Sequence, residues 1–536
     1  MLQGDSEKNS KQHAAGKLTA RERVNRLLDA GSFVETDTFL GKPMAESGVV
    51  TGYGTVSDRP VFVVAQDFTV HGGAMGEIQA QKTVKLLDLA LSAGAPVVWL
   101  CDSAGVKVDE GARGMNAYAR IYAKMAQLSG ICPMIAVLLG PVIGGAALIS
   151  QLADITIQAK DVAELMVYGP AVVSALTGKT CTGKELGGAD AMASQGAVSL
   201  AVADEAQAIA ATVQVLSYLP ASSAEDAELL EGTDLNRVMG DTDPLDSDSL
   251  ITGIADGASV ELCAAWGQEI RTLLTRIGGR SVGLLVSNAA VNEGELAPDA
   301  CVKAARFVRF CDAFSLPIVS LINSRGIQVP DAGHQADVIR AAAQLLYAYT
   351  STTAPKVSVI VGSAIGQAFV AMGGAQHADI TYAWPGATIS ALTPAAAVQV
   401  LHAKELRQGT GDPNAVRAEL ESTYARDVAS GLCAAADGMI KDRQSRRDPE
   451  VRDRRAGDAC RQAGGHAPAQ TWQHAAVRGR RAHGASQISG HVRLPDRHPG
   501  GHVHRVYRAV RADPADQGAD SGHGQDRTAP EADQTH

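Results

Sequence analysis

Hydrophobic and polar positions switch between two periods along the first part of the chain. Residues 17–33, "KLTARERVNRLLDAGSF", put Val24, Leu27 and Leu28 on one stripe, which predicts an amphipathic helix stopped by Gly31. "GVVTGYGTV" and "PVFVVAQDF" alternate or run apolar between turn residues, as strands do. Residues 76–93 return to helical spacing, with Val84, Leu87 and Leu91 on one face. A buried strand "PVVWLC", a polar turn, a helix near 114–128 and a strand "MIAVLLG" follow. Strands alternating with helices predict an α/β fold of parallel sheets and crossover helices.

The same phrase is written twice. "PMIAVLLGPVIGGAALIS" ends at Ser150, and "PKVSVIVGSAIGQAFVAM" ends at Met372, each a strand, a glycine turn and the start of a helix. Upstream, Lys82 answers Lys303, Pro96 answers Pro317 and Gly105 answers Gly326, all 221 residues apart. A long, constant offset means two copies of one domain and not a short-period solenoid. The acidic, turn-rich stretch 226–249 predicts a linker between a first domain, 1–225, and a second, 250–440.

Composition narrows the class. The 536 residues are 46% hydrophobic and 20% charged, as in soluble globular proteins of more than one domain. No run of 18 apolar residues suggests a membrane span, and the polar N-terminus lacks a signal core, so a cytoplasmic location is expected. Eight scattered cysteines include no CxxC pair, which argues for free thiols and against a zinc site. The net charge of −10 divides unevenly, with −15 on residues 1–440 and +5 on 441–536. An acidic body argues against nucleic acid as a partner. The tail holds nine of 14 histidines, one leucine and no phenylalanine, which predicts disorder or frameshift-like sequence. Metal is expected nowhere in the chain, the His-rich "HPGGHVHRVYR" being at most an adventitious site.

The glycine turns carry the candidate chemistry. Gly144 and Gly145 end a strand and open a helix, where the first amides have no intrahelical partner and the dipole adds positive charge. Such N–H groups suit an oxyanion that forms only during reaction. "DSAG", residues 102–105, ends the preceding strand and offers a second amide. Close packing of a helix on a sheet explains the same small residues, and spacing alone leaves both readings open. "GRSVG" matches a nucleophile elbow around Ser281 but precedes its strand, and "TGKT" at 177–180 lacks the phosphate-loop glycine.

Longer stretches carry a resemblance. "GKLTARERVNRLLDAGSFVE", "QDFTVHGG", "APVVWLCDSAGVKVDEG", "KAARFVRFCDAFSLPIVSL" and "LLYAYTSTTAPKVSVI" resemble the carboxyltransferase subunits of biotin-dependent acyl-CoA carboxylases and decarboxylases, over about residues 16–440. The resemblance implies two tandem crotonase-like domains. It implies that amides near Gly144 and Gly145 hold a thioester enolate, with Ala104 and Gly105 lining the acyl-CoA pocket. It implies that Gln367 and Ala368 hold the biotin ureido oxygen, with Gly326, Gly366 and Val370 around them. Biotin would arrive on a separate carrier protein, since no "AMKM"-like attachment site is present. A biotin carboxylase or a membrane decarboxylase subunit would complete the system, and the halves would meet head-to-tail within a homohexamer.

Several positions depart from that pattern. Gln367 stands where relatives carry a small residue, and "LINSRGIQVP" replaces an Asp-x-Pro-Gly-Phe loop. Ser199 stands where a histidine is common, and Val370 looks more like the decarboxylase branch. The alternatives are therefore a decarboxylase α subunit running the reverse reaction, and a pseudo-subunit that binds acyl-CoA without biotin chemistry.

Overall fold

In the computed structural model the two copies of the repeat build two separate sheets. The structure describes residues 6–40, 47–233, 242–331, 333–374, 377–408 and 412–440. The predicted disordered tail, 441–536, lies outside the described residues, as does part of the predicted linker.

The first sheet contains β1 (Val34–Glu35), β2 (Val49–Val56), β3 (Arg59–Gln66), β4 (Val97–Ser103), β5 (Met134–Ile143), β6 (Ile155–Ala159), β7 (Glu164–Met166) and β8 (Leu200–Val202). Their order is β1-β2-β3-β4-β5-β6-β8, with β7 also paired to β5. The second contains β9 (Val260–Leu262), β10 (Ile270–Ile277), β11 (Arg280–Ser287), β12 (Ile318–Ser324), β13 (Lys356–Ile365), β14 (Ile380–Ala383) and β15 (Thr388–Ser390), in the order β14-β13-β12-β11-β10-β9 with β15 on β13. Registers repeat as well: Phe62 pairs Val97 as Gly283 pairs Ile318, and Val97 pairs Met134 as Ile318 pairs Lys356.

The expected α/β fold is present, with one addition to the expected parallel sheets. Each sheet is parallel in its middle and antiparallel at one edge, where β2–β3 and β10–β11 form hairpins. The reason is local. Ser57 and Asp58 both take positive φ, as do Gly278 and Gly279, which is the backbone a two-residue hairpin turn requires. The buried face of the helix Glu77–Ala93 carries Thr83, Leu86, Leu87 and Ala90, leaving Val84 and Leu91 half-buried beside it. The first amphipathic helix is shorter than predicted. A Thr19–Glu22 capping box starts it at Ala20, and it ends at Leu27, before Gly31. Asp29 ends it by pairing its amide with the Thr55 carbonyl and its carboxylate with Thr55, Ser57 and Asp58.

Ser281 lies buried within β11 opposite Arg276, and Gly178 is a left-handed cap on the helix Pro170–Thr177, so neither weaker motif forms a site. Ser199 joins the halves: its hydroxyl accepts from the Thr156 amide, and its carbonyl accepts from the Cys263 amide at 2.7 Å. Arg306 adds a bond to the Gly196 carbonyl at 3.1 Å.

Candidate active site

Parallel strands deliver loops at their C-terminal ends, and β4 and β5 place two turns side by side there. Gly105 (φ 103°) follows β4, and Gly144 (φ 61°) follows β5. Both values lie where glycine is favoured. The Gly144 amide donates to the Met166 carbonyl at 3.0 Å, and the Gly144 carbonyl accepts from Ala147 and Leu148. The helix Gly145–Leu152 therefore opens with the amides of Gly145 and Ala146 ahead of its first internal donors. The Ala104 amide donates to the Gly72 carbonyl at 2.8 Å, and the Gly105 amide to Ser103 Oγ at 3.1 Å.

Two tyrosines that the sequence reading did not single out brace these turns. Tyr118 Oη donates to the Gly105 carbonyl at 3.1 Å, and its ring lies where a Cβ on Gly145 would come within 2.7 Å. Tyr122 Oη donates to the Gly145 carbonyl at 3.0 Å. Burial raises the Tyr118 phenol and pushes Tyr122 up to about 12, so both are protonated donors near neutrality. Their only sequence signal is helical spacing along Ala112–Leu128.

The second half repeats the frame around Gly326 (φ 137°) and Gly366 (φ 58°). The Gly326 amide donates to Ser324 Oγ as Gly105 does to Ser103, and its carbonyl accepts from Leu296 as Gly105 accepts from Met75. Around the turn, Ala368 is buried, Val370 is half-buried and Gln367 is exposed. A side chain added at Gly326 would meet open space, whereas at Gly105 it would press on the Ile143 carbonyl at 3.0 Å.

Beneath the first turn lies a buried ionic cluster. Asp102 accepts from Lys17 at 2.7 Å and Arg23 at 2.8 Å, and Arg23 also binds Glu205 at 2.5 Å and the Leu139 carbonyl at 2.6 Å. Burial lowers the Lys17 ammonium despite its partner carboxylate; in Arg23 the same penalty is outweighed by Asp102 and Glu205, and its pKa is raised. These residues lie up to 188 positions apart, so nothing local announced them.

The structure brings Ala104, Gly105, Gly144 and Gly145 together in one half, and Gly326, Gly366, Gln367, Ala368 and Val370 in the other. The helix Gly145–Leu152 packs on its own β5, β6 and the helix Ala112–Leu128, and Gly366–Ala371 packs on β12, β13 and the helix Gln335–Ser351. Among the described residues there is no cluster of three or more His, Cys, Asp or Glu able to hold a metal, and no helix long and apolar enough to cross a membrane.

Two strand–turn–helix frames in tandem, with matched glycine turns at matched strand ends, define a protein of two crotonase-like domains. The chain belongs to the carboxyl transferase domain family, which it matches over residues 11–449. It is 36% identical over 463 residues to the carboxyltransferase subunit of propionyl-CoA carboxylase from Haloferax mediterranei, covering 82% of this chain and 89% of the relative. It is 35% identical over 466 residues to the methylmalonyl-CoA decarboxylase α subunit of Veillonella parvula, covering 83% and 91%. The crystal structure of transcarboxylase 12S, described as a hexamer with methylmalonyl-coenzyme A bound, superposes with a TM-score of 0.79 at 32% identity over 93% of this chain and 94% of that one. The chain is thus a member of the carboxyltransferase family to which these acyl-CoA carboxylase and decarboxylase subunits belong.

Proposed function

We propose that the first half, residues 1–225, holds a short-chain acyl-CoA, and that the second, 250–440, receives carboxybiotin from a separate carrier protein, with 226–249 linking them. The observation that carries this reading is the duplicated pair of turns, braced in the first half by Tyr118 and Tyr122. The amides of Gly145 and Ala146 hold the thioester oxygen as it gains negative charge, and Gly144 supplies the turn that aims them. Ala104 and Gly105 line the same pocket. Donors aimed at charge that develops only along the reaction accelerate it directly.

The second half is assigned to the biotin group. Gly326 has open space where a side chain would stand, and in this reading the amides of Gln367 and Ala368 hold the ureido oxygen, with Gly366 and Val370 beside them. Carboxybiotin supplies the carboxyl group there. The same site serves carboxylation with a biotin carboxylase or decarboxylation with a membrane subunit.

The two turns belong to one reaction if a neighbouring copy brings them together. Two apolar helices support this assembly: Pro170–Thr177 buries none of its residues and exposes Val172 and Leu176, while Pro394–Leu401 exposes Val400 and Leu401. Head-to-tail pairing covers both, and the related transcarboxylase 12S is hexameric.

Carboxyl exchange between methylmalonyl-CoA and free biotin tests the reading. Exchange supports it. Acyl-CoA binding without exchange identifies a pseudo-subunit.

A further inference from the structure

The two halves repeat the same turns with positive φ at the same positions and matching hydrogen bonds, yet their side chains at matched positions differ in a consistent way. The segment His71–Gly73 and the segment Asn292–Gly294 are short helical turns with the same run of positive φ values. In the first half the Gly72 carbonyl accepts from the Ala104 amide, and in the second the Glu293 carbonyl accepts from the Arg325 amide. Three matched positions surround the mouth. The first half has Gly72, Ala104 and Gly145; the second has Glu293, Arg325 and Gln367.

The consequence is physical. A Cβ on Gly72 would sit 3.3 Å from the Ala104 Cβ, so that mouth is lined by minimal side chains and admits a bulky ligand. At the second, Arg325 Nη1 donates to the Glu293 carboxylate, which fixes the guanidinium beside the Asn292–Gly294 turn. Arg325 remains 42% exposed, with further N–H donors on its planar fork. β12 and β13 run parallel with Ser324 opposite Ala364, so Arg325 and Gln367 follow neighbouring strands at the same C-terminal end of the sheet. An exposed ion pair ordinarily contributes little. Here an exposed amide, Gln367, follows the neighbouring strand, and all three polar residues stand where the first half has small ones.

Building on the assignment of the second half to carboxybiotin, we propose that Arg325, oriented by Glu293, binds the carboxylate of the carboxylated ureido ring. A planar guanidinium matches a carboxylate with two parallel hydrogen bonds, which an uncharged ring cannot receive. The residue thereby separates the loaded carrier group from the unloaded one. It is a specificity-determining residue for the donor and leaves acyl-CoA binding untouched.

The test uses the full chain, N1-carboxybiotin methyl ester as donor and propionyl-CoA as acceptor, with biotin methyl ester as the uncharged competitor. Arg325→Ala is expected to raise the KM for the carboxylated donor by at least about tenfold. The competitor's inhibition constant and the propionyl-CoA KM stay within about twofold, and Arg325→Lys recovers part of the loss. An unchanged donor KM, or equal losses for donor and competitor, overturns the proposal while the site assignment stands. A wild-type chain that binds propionyl-CoA but transfers no carboxyl group from this donor overturns the site assignment, and the proposal with it.

Discussion

Asp102 and Asn323 occupy the same point of the two halves, each wedged against a glycine of the next strand. Their side chains lie where a Cβ on Gly140 or Gly362 would fall. Both sit in a register shift between paired strands, at Cys101/Ser103 and at Ile322/Ser324. One half fills that shift with a charge and the other with an amide. Asp102 meets Lys17 and Arg23, while Asn323 donates to the Pro244 carbonyl and accepts from the Ser363 amide.

Gly140→Ala and Gly362→Ala should each destabilise the fold by about 1–3 kcal/mol or more, because the added methyl overlaps a buried side chain. Gly386→Ala, where a methyl would meet nothing within 4 Å, should stay within about 0.5 kcal/mol. Chemical denaturation of the three variants gives the comparison.

Asp102→Asn removes the counter-charge of Lys17 and one of two carboxylates on Arg23. Breaking a buried pair on one side typically costs about 3–5 kcal/mol. The midpoint of unfolding should fall accordingly. The double variant Asp102→Asn with Lys17→Met should recover part of the loss, since the stranded ammonium is then absent.

At the glycine turns, Gly145→Ala should lower kcat by about 10²-fold, because its methyl strikes the Tyr118 ring at 2.7 Å and displaces the amides. Gln367→Ala keeps the backbone and should leave the acyl-CoA KM unchanged. Steady-state kinetics with varied acyl-CoA separates the two.

Asp154 gives a pH signature. Burial pushes its carboxyl up to about 7, against one bond from the Met134 amide that favours the ionised form. A raised folded pKa means that the fold prefers the protonated acid. Its stabilising contribution is complete below about pH 4 and disappears as pH rises through about 7. Asp154→Asn should therefore flatten the fall in melting temperature between those limits.

The second mouth adds one more expectation. Glu293→Gln removes the carboxylate that orients Arg325, so the KM for a carboxylated donor should rise while the acyl-CoA KM holds. Donor saturation curves at low salt show the effect most clearly.

The chain's own order of residues determined the duplication, the strand–turn–helix phrase and the positions of Gly105, Gly144, Gly326 and Gly366. Period and glycine placement are local properties, and a repeated local pattern survives without any contact being known. The amphipathic helix at the N-terminus was equally legible, although its end at Leu27 depended on Asp29 reaching Thr55 in a strand far along the chain. Tertiary structure alone decided that Lys17, Arg23, Asp102 and Glu205 share one buried cluster, that Tyr118 links Gly105 to Gly145, and that Glu293 meets Arg325. Those pairings join segments with no common periodicity. Charge and ring positions become partners only after sheet register and helix packing have brought them within bonding distance.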